Sequence, residues 1–266
     1  MDACPVSLTD EMDGKIGGMR KLISMACPQA VPNAAFINPE CRFGRMRNKG
    51  ACVGGCVVDC SQCRECPIAL CVVACKKEGK DAVRLWQSNK NLDIEVKSIV
   101  VATGIKDAPA PLGLHGYDFY DNVITNIQFE RLMNAGGPTA GQIIRPSDKK
   151  HAHKIAWIQC VGRGLANGLP YCSKVCCMVA AKQTIITKEH DASVETLIFY
   201  NDLKAYGKGF WGFYQKAIEK GVKYIKARPY DVFEDPVTKN LMIRYEDVET
   251  GELKKEEVEF LVLSTG

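Results

Sequence analysis

Apolar positions along the chain fall into two regimes. Over the first 75 residues they show weak periodicity among many Cys, Gly and Arg, which predicts loops folded around something other than a large apolar core. Residues 94–104 (IEVKSIVVATG) then form an apolar, β-branched run closed by small residues, the pattern of a buried parallel strand. Pro-containing loops follow, with a short helix predicted over 127–134. From Lys154 the periodicity alternates between two and 3.6: a strand at 155–159, a helix over about 173–189, a strand at 196–200, a helix over 210–220 and a strand at 222–227. Gly221 sits where a left-handed residue would close the second helix. Segments 230–234, 241–246 and 257–263, separated by Asp-Pro and Thr-Gly turns, predict an antiparallel meander. Strands alternating with helices imply an α/β fold with a parallel sheet and right-handed crossovers.

Two strand endings echo each other, VVATG at 100–104 and LVLSTG at 261–266. In reductases built from two dinucleotide-binding domains, one for a flavin and one for a nicotinamide, such an ending marks each passage of the chain between the domains. Residues 105–266 then read as the second domain of that architecture. A flavin domain also needs a strand followed by G-x-G-x-x-G, where the pyrophosphate meets a helix N-terminus. No such element precedes residue 98, and Gly14, Gly17 and Gly18 lack a preceding strand, so the chain is expected to be incomplete. The expected organisation is a cysteine-rich region at 1–91, the end of a flavin domain with its connection at 92–150, and a βαβ unit with a meander at 151–266.

Composition adds little until the cysteines are counted. Apolar residues make up 46% and charged residues 25%, as in an ordinary globular protein. No apolar run is long enough to span a bilayer and no leader pattern opens the chain, so the expected location is the cytoplasm. The net charge of +4 is too small and scattered to argue for nucleic acid. The fourteen cysteines, however, are clustered. Clustered cysteines in a chain of this kind point to metal or cluster ligation ahead of a disulfide framework.

Residues 60–75 read CSQCRECPIALCVVAC, which gives Cys60-x2-Cys63-x2-Cys66-Pro followed by Cys71 and Cys75. Two-residue spacing lets successive thiolates converge on one centre, the ferredoxin arrangement. Cys71 follows Cys66 by four intervening residues, which leaves the ligand assignment open, and Cys41, Cys52 and Cys56 raise the local total to eight. Structural zinc is the alternative occupant. Cys4-Pro5 resembles the end of another ferredoxin motif, and Cys27 has no partner spacing.

A second group lies in the βαβ unit. A nicotinamide domain would follow the 155–159 strand at once with the glycine fingerprint and then a helix. Here Gly162-x-Gly164 begins the fingerprint, Asn167 stands where the third glycine belongs, and further residues intervene before the helix, so the phosphate cradle is expected to be lost. Cys160 falls at the strand end, and Cys172, Cys176 and Cys177 fall at or just inside the helix N-terminus. Residues four apart share a helix face, and the positive end of the dipole favours thiolates. The arrangement suits one four-thiolate site; buried inert cysteines are the competing reading.

The strings PQAVPN (28–33), NVIT (122–125), FERLMNAGGPTAGQIIRPSD (129–148), IAWIQCVG (155–162), YCSKVCCM (171–178) and GKGF (207–210), with VVATG and LVLSTG, resemble the A subunit of heterodisulfide reductase. The resemblance implies a thioredoxin-reductase-like flavoprotein with ferredoxin-type insertions, acting as an oxidoreductase with FAD and [4Fe–4S] clusters. It implies electron transfer toward a sulfur- or disulfide-reducing partner, in some members by flavin-based bifurcation. Implied partners are the other subunits of the complex and a donor protein such as a hydrogenase, a formate dehydrogenase or a ferredoxin. Cys160, Cys172, Cys176 and Cys177 match the family's four-thiolate site. Ala102, Thr103 and Gly104 match its flavin side, and Lys182 matches a lysine expected near the flavin ring. The cysteine-rich stretch 41–75 is longer than the family's usual insertion, so its ligands do not transfer. Two other readings stay open: a pyridine-nucleotide disulfide reductase, and a zinc-stabilised binding module. The basic run Arg42, Arg45, Arg47 and Lys49 reads as solvated loop charge, and no spacing compels His115, His151, His153 or His190 to be ligands.

Overall fold

The computed structural model describes residues 7–9, 14–21, 23–25, 35–37, 70–80, 82–83, 91–104, 108–165 and 168–266. Cys60, Cys63 and Cys66 of the predicted ferredoxin motif lie outside the described residues, as do Cys4, Cys27, Cys41, Cys52, Cys56 and Asn167. The chain divides into two compact units, Met1–Glu11 with Met19–Thr103 and Met12–Gly18 with Gly104–Gly266. The stretch expected to connect two domains, 92–150, is therefore split, its residues from 104 onward folding with 151–266. Among the described residues no helix is long and apolar enough to cross a membrane.

In the first unit, β1 (Ser7–Thr9) pairs antiparallel with β2 (Met19–Lys21), and β3 (Ile23–Met25) with β4 (Ala35–Ile37). Helix α1 (Leu70–Lys77) carries Cys71 and Cys75 one turn apart. The buried strand expected at 94–104 is not formed. Residues 91–104 are irregular, and Ile99, Val100 and Val101 are 81%, 88% and 78% exposed. A strand exists only where neighbouring backbones take up its N–H and C=O groups. No described strand pairs with this run, so β-propensity alone leaves it extended in water.

The second unit is built on a parallel sheet. Its strands are β5 (Val123–Thr125), β6 (Lys154–Ile158), β7 (Glu195–Tyr200), β8 (Lys223–Lys226) and, after β9 (Asp231–Glu234), β10 (Leu241–Glu246) and β11 (Leu253–Val258), the last strand β12 (Phe260–Leu263). The order across the sheet is β5-β12-β6-β7-β8, all parallel, while β9, β10 and β11 form a separate antiparallel meander. This corrects the expected third meander strand at 257–263. Charged alternation in β11 suits a meander edge, whereas Phe260, Leu261, Val262 and Leu263 are each 0% exposed and insert between β5 and β6.

Alternation along each strand sends side chains to two cores. Ile155 and Trp157, Ile198, Phe260 and Val262 pack with α2 (Asn126–Met133), α3 (Cys176–His190) and α4 (Phe210–Glu219) on one face. Ala156 and Ile158, Leu197 and Phe199, Leu261 and Leu263 pack against the meander on the other. The helix face is centred on Phe129, whose ring lies 5.2 Å from Trp157 and 5.9 Å from Phe260. Thr125 and Gln128 cap the start of α2 reciprocally, which explains why the NVIT strand passes into a helix without a loop. The meander is pinned by buried Arg145, which donates to Asn240 Oδ1 (2.8 Å) and the Thr238 carbonyl (2.7 Å), and by Asn122, which donates to the Lys239 carbonyl (2.9 Å).

Helix α3 is fixed to the sheet by a polar pin. Gln183 is 0% exposed, accepts from Trp157 Nε1 (2.9 Å) and donates to the Asn126 carbonyl (2.8 Å) and Glu130 Oε2 (3.2 Å). Two residues past the end of β6, Cys160 is a non-glycine residue held in the left-handed region at φ 59.

Gln183→Leu leaves the Trp157 indole N–H and the Asn126 carbonyl without their buried partner and lowers stability by about 1–3 kcal/mol, read from denaturant unfolding; an unchanged midpoint would contradict the pin. Because the left-handed backbone at Cys160 tolerates glycine better than alanine, Cys160→Gly should exceed Cys160→Ala in stability by about 1 kcal/mol. Both are compared iron-free, and equal midpoints would place the residue in ordinary backbone.

Candidate functional site

The carboxyl ends of parallel strands and the amino ends of the helices that follow them meet along one edge of the sheet, and ligands of open α/β sheets bind in that crevice. In this unit the edge carries sulfur. Cys160 lies two residues past the end of β6, Cys172 sits in the loop that leads to α3, and Cys176 and Cys177 are the first two residues of α3. The six described cysteines, these four with Cys71 and Cys75, form no disulfide.

Each thiol is placed by a distinct local cause. The left-handed turn at Cys160 reverses the chain at the end of β6, and Arg163 N–H closes the turn on the Cys160 carbonyl at 3.1 Å. Cys172 Sγ accepts the Lys174 N–H at 3.3 Å, and Lys174 is itself left-handed at φ 65. No side chain caps the start of α3, so its first N–H groups face the crevice. Cys177 Sγ reaches the Asp202 carbonyl, 3.9 Å away in the loop after β7. The end of β12 closes the edge: a Cβ at Gly266 would come within 2.6 Å of Ser173 Cβ and Oγ, so only glycine fits beside the α3 loop.

The electrostatics couple these sulfurs. Cys176 is pulled down to about 6, chiefly by its hydrogen bond with the Cys177 thiol, against the opposing effect of burial, and further by Ser173 and the backbone N–H groups of Cys160 and Cys177. The same hydrogen bond, with burial, pushes Cys177 up. Burial raises Cys160 as well, with contributions from Cys176 and Cys172 and an opposing one from Arg163. Among the described residues no three or more His, Cys, Asp or Glu side chains close to metal-ligating geometry, so the four sulfurs are gathered along one edge without converging on a point. The donor set itself, four soft sulfurs with no carboxylate or imidazole among them, fits an iron–sulfur cluster or zinc.

Of the expected glycine fingerprint, Gly162 and Gly164 are described and Asn167 is not. Gly162 and Gly164 are left-handed, but the loop closes on itself, with Gly164 N–H on the Leu169 carbonyl (3.2 Å) and Gly168 N–H on the Leu165 carbonyl (2.9 Å). A Cβ at Gly168 would lie 1.8 Å from the Gly162 carbonyl oxygen, so only glycine allows the close approach of the chain at these two positions.

The remaining sequence-chosen residues are spread out. Ala102, Thr103 and Gly104 lie at the end of the irregular stretch and are exposed. Cys71 and Cys75 occupy one face of α1, where Cys75 Sγ accepts the Ala82 N–H at 3.3 Å. Lys182 lies on α3, half-exposed, in an ion pair with Glu130 of α2. Sequence pattern does not single out Glu130, nor Gln183, which donates to it, nor Thr265, whose hydroxyl donates to Asn126 Oδ1 at 2.9 Å. Their only signal there is as polar residues on otherwise apolar faces of predicted elements.

No established protein-family profile matches the chain. It is 40% identical over 266 residues to the iron–sulfur A subunit of CoB–CoM heterodisulfide reductase of Methanocaldococcus jannaschii, covering 99% of this chain and 36% of that protein. It is 40% identical over 267 residues to the A subunit of the H2/formate:CoB-CoM heterodisulfide,ferredoxin reductase of Methanococcus maripaludis, with the same coverage of 99% and 36%. Among solved structures it is similar to a thioredoxin reductase of T. acidophilum at 18% identity and a TM-score of 0.29, over 42% of this chain and 31% of that one. It is also similar to an ornithine hydroxylase of Pseudomonas aeruginosa at 13% identity and a TM-score of 0.38, over 62% and 44%. The chain thus spans about 36% of the length of these curated relatives, and over that span it is similar to the A subunit of heterodisulfide reductase.

Proposed function

We propose that the chain is the part of a heterodisulfide-reductase-type A subunit in which electrons pass between FAD and [4Fe–4S] clusters on the way to a sulfur-reducing partner. The observation that carries this reading is the gathering of Cys160, Cys172, Cys176 and Cys177 at the carboxyl edge of the parallel sheet, where the parent architecture keeps a nicotinamide. When bound, FAD supplies two-electron and a cluster one-electron chemistry, which together allow a pair of electrons to be divided, as in flavin-based bifurcation.

The residues of the chain have separable tasks. The four thiolates hold the cluster, and the uncapped first turn of α3 directs N–H groups toward their charge. Gly164 and Gly168 spend their N–H groups on carbonyls of the same loop, which disfavours a dinucleotide phosphate there and supports a protein-bound electron source over NADH. Lys182, oriented by Glu130, would offer an ammonium to the negative charge that a flavin gains on reduction, and Ala102, Thr103 and Gly104 are assigned to the flavin side. Cys60, Cys63, Cys66, Cys71 and Cys75 are assigned to the ferredoxin-type cluster or clusters of the first unit. The relatives are named for complexes that use H2, formate or ferredoxin, and partners of these classes, with the other reductase subunits, are proposed here. A cytoplasmic location goes with such partners.

Replacing Cys177 by Ser should remove roughly four irons per chain, the content of one [4Fe–4S] cluster, while the iron held by the first unit stays in place. Iron and sulfide analysis with low-temperature EPR reads both. Unchanged iron and an unchanged spectrum in a well-folded Cys177→Ser protein would reduce the twin cysteines to core packing, and zinc in place of iron would favour the structural-metal reading.

A further inference from the structure

Beside the four-cysteine edge lies a surface that the electron-transfer reading does not use. Tyr171 is 62% exposed, Val175 40%, Tyr206 54%, Phe210 43% and Trp211 58%. They come from the loop before α3, the loop after β7 and the first turn of α4, the elements that also carry Cys172, Cys176 and the Asp202 carbonyl beside Cys177. Large apolar side chains gathered at a surface mark an interaction site far more often than chance exposure does. Aromatic residues in particular dominate the centres of protein interfaces.

The charge around these rings has one sign. The loops 160–175 and 201–209 contain Arg163, Lys174, Lys204 and Lys208, against a single carboxylate, Asp202, which is paired with Lys204. Lys174 Nζ lies 5.6 Å and Lys204 Nζ 6.0 Å from the centre of the Tyr206 ring, so two ammonium groups flank one exposed aromatic face. The backbone holds this arrangement in place. Lys174 is left-handed at φ 65, Gly207 and Gly209 stand at φ 112 and 87, and Trp211 leans on Tyr214 (5.2 Å), which packs on Tyr224 (4.8 Å).

We propose that this basic aromatic rim is the docking surface for an acidic protein that carries single electrons, seated over the Cys160, Cys172, Cys176 and Cys177 edge. Complementary charge steers such a carrier into place and speeds encounter, while the small aromatic patch suits the short-lived interfaces of redox partners. Each encounter moves one electron, the carrier being oxidised as the centre at the cysteine edge is reduced, or the reverse, with no atom transferred. The proposal rests on the reading of the four cysteines as a redox centre, and its test separates the two.

The test uses the full-length iron-loaded protein and, as probe, an acidic two-cluster ferredoxin, with binding followed by calorimetry at low and high NaCl. Lys174→Glu with Lys208→Glu should weaken binding at least tenfold at low salt and much less at high salt, with iron and flavin content unchanged. Trp211→Ala should weaken it at both salt concentrations, because its contribution is apolar. Lys216→Glu with Lys220→Glu, at the other end of α4 where both lysines pair with Glu189, should bind as the parent protein does. Cys177→Ser should also dock normally, so that loss of the cluster and loss of the surface are read apart. The surface is refuted if the Lys174/Lys208 variant binds as tightly as the parent, or no more weakly than the Lys216/Lys220 variant. It is equally refuted by Trp211 proving inaccessible to aqueous quenchers in the full-length protein, or by light scattering showing that the rim pairs two copies of it.

Discussion

One fully buried amide holds the second unit in register. Gln183 faces the sheet from α3, and its three hydrogen bonds tie that helix to β6 through Trp157 and to α2 through Asn126 and Glu130. A buried amide without partners costs more than a lost contact, so these three elements settle together or not at all. Because α3 begins with Cys176 and Cys177 and Cys160 lies two residues past β6, the pin also sets where the cysteine pair stands relative to the strand end. It sets Glu130 too, and through it the direction taken by Lys182. Core packing and the cysteine edge thus depend on the same interaction.

At this edge the frame of an open α/β sheet is kept while the loop after β6 departs from a phosphate-binding turn. The strand-turn-helix that would cradle a phosphate needs free N–H groups and a short approach to the helix. Here Arg163, Gly164 and Gly168 spend their N–H groups on carbonyls of the same loop, and the helix start is reached later, through Cys172 and a left-handed Lys174. What stays constant is the positive end of a helix facing the ends of parallel strands. That field serves thiolates as well as it serves phosphate.

Most of this frame is legible in the sequence, for a physical reason. Strand β10 buries one stripe at period two, β6 and β7 are short apolar runs buried on both faces, and α2 and α4 turn an apolar face to the sheet. Residues 94–104 show the limit of that logic, since their β-branched run needs neighbouring strands that no described residue supplies. Phe260 to Leu263 show another. A short apolar run after a charged strand reads as its continuation, and only the sheet reveals that the chain crosses from the meander into the centre of the parallel layer at Glu259. The cysteine edge is readable because four thiols in a fixed spacing are chemically unusual. Glu130 and Gln183 are not, because a partner more than fifty residues away leaves no local trace.

Iron held at the sheet's carboxyl edge by Cys160, Cys172, Cys176 and Cys177 is the point on which the functional reading turns. Diffraction at the iron absorption edge, from anaerobic crystals of the full-length protein, tests it most directly. A strong anomalous iron peak is expected, bounded by the end of β6 and the first turn of α3. No anomalous scatterer there with all four thiols ordered, or one that appears only at the zinc edge, would contradict it.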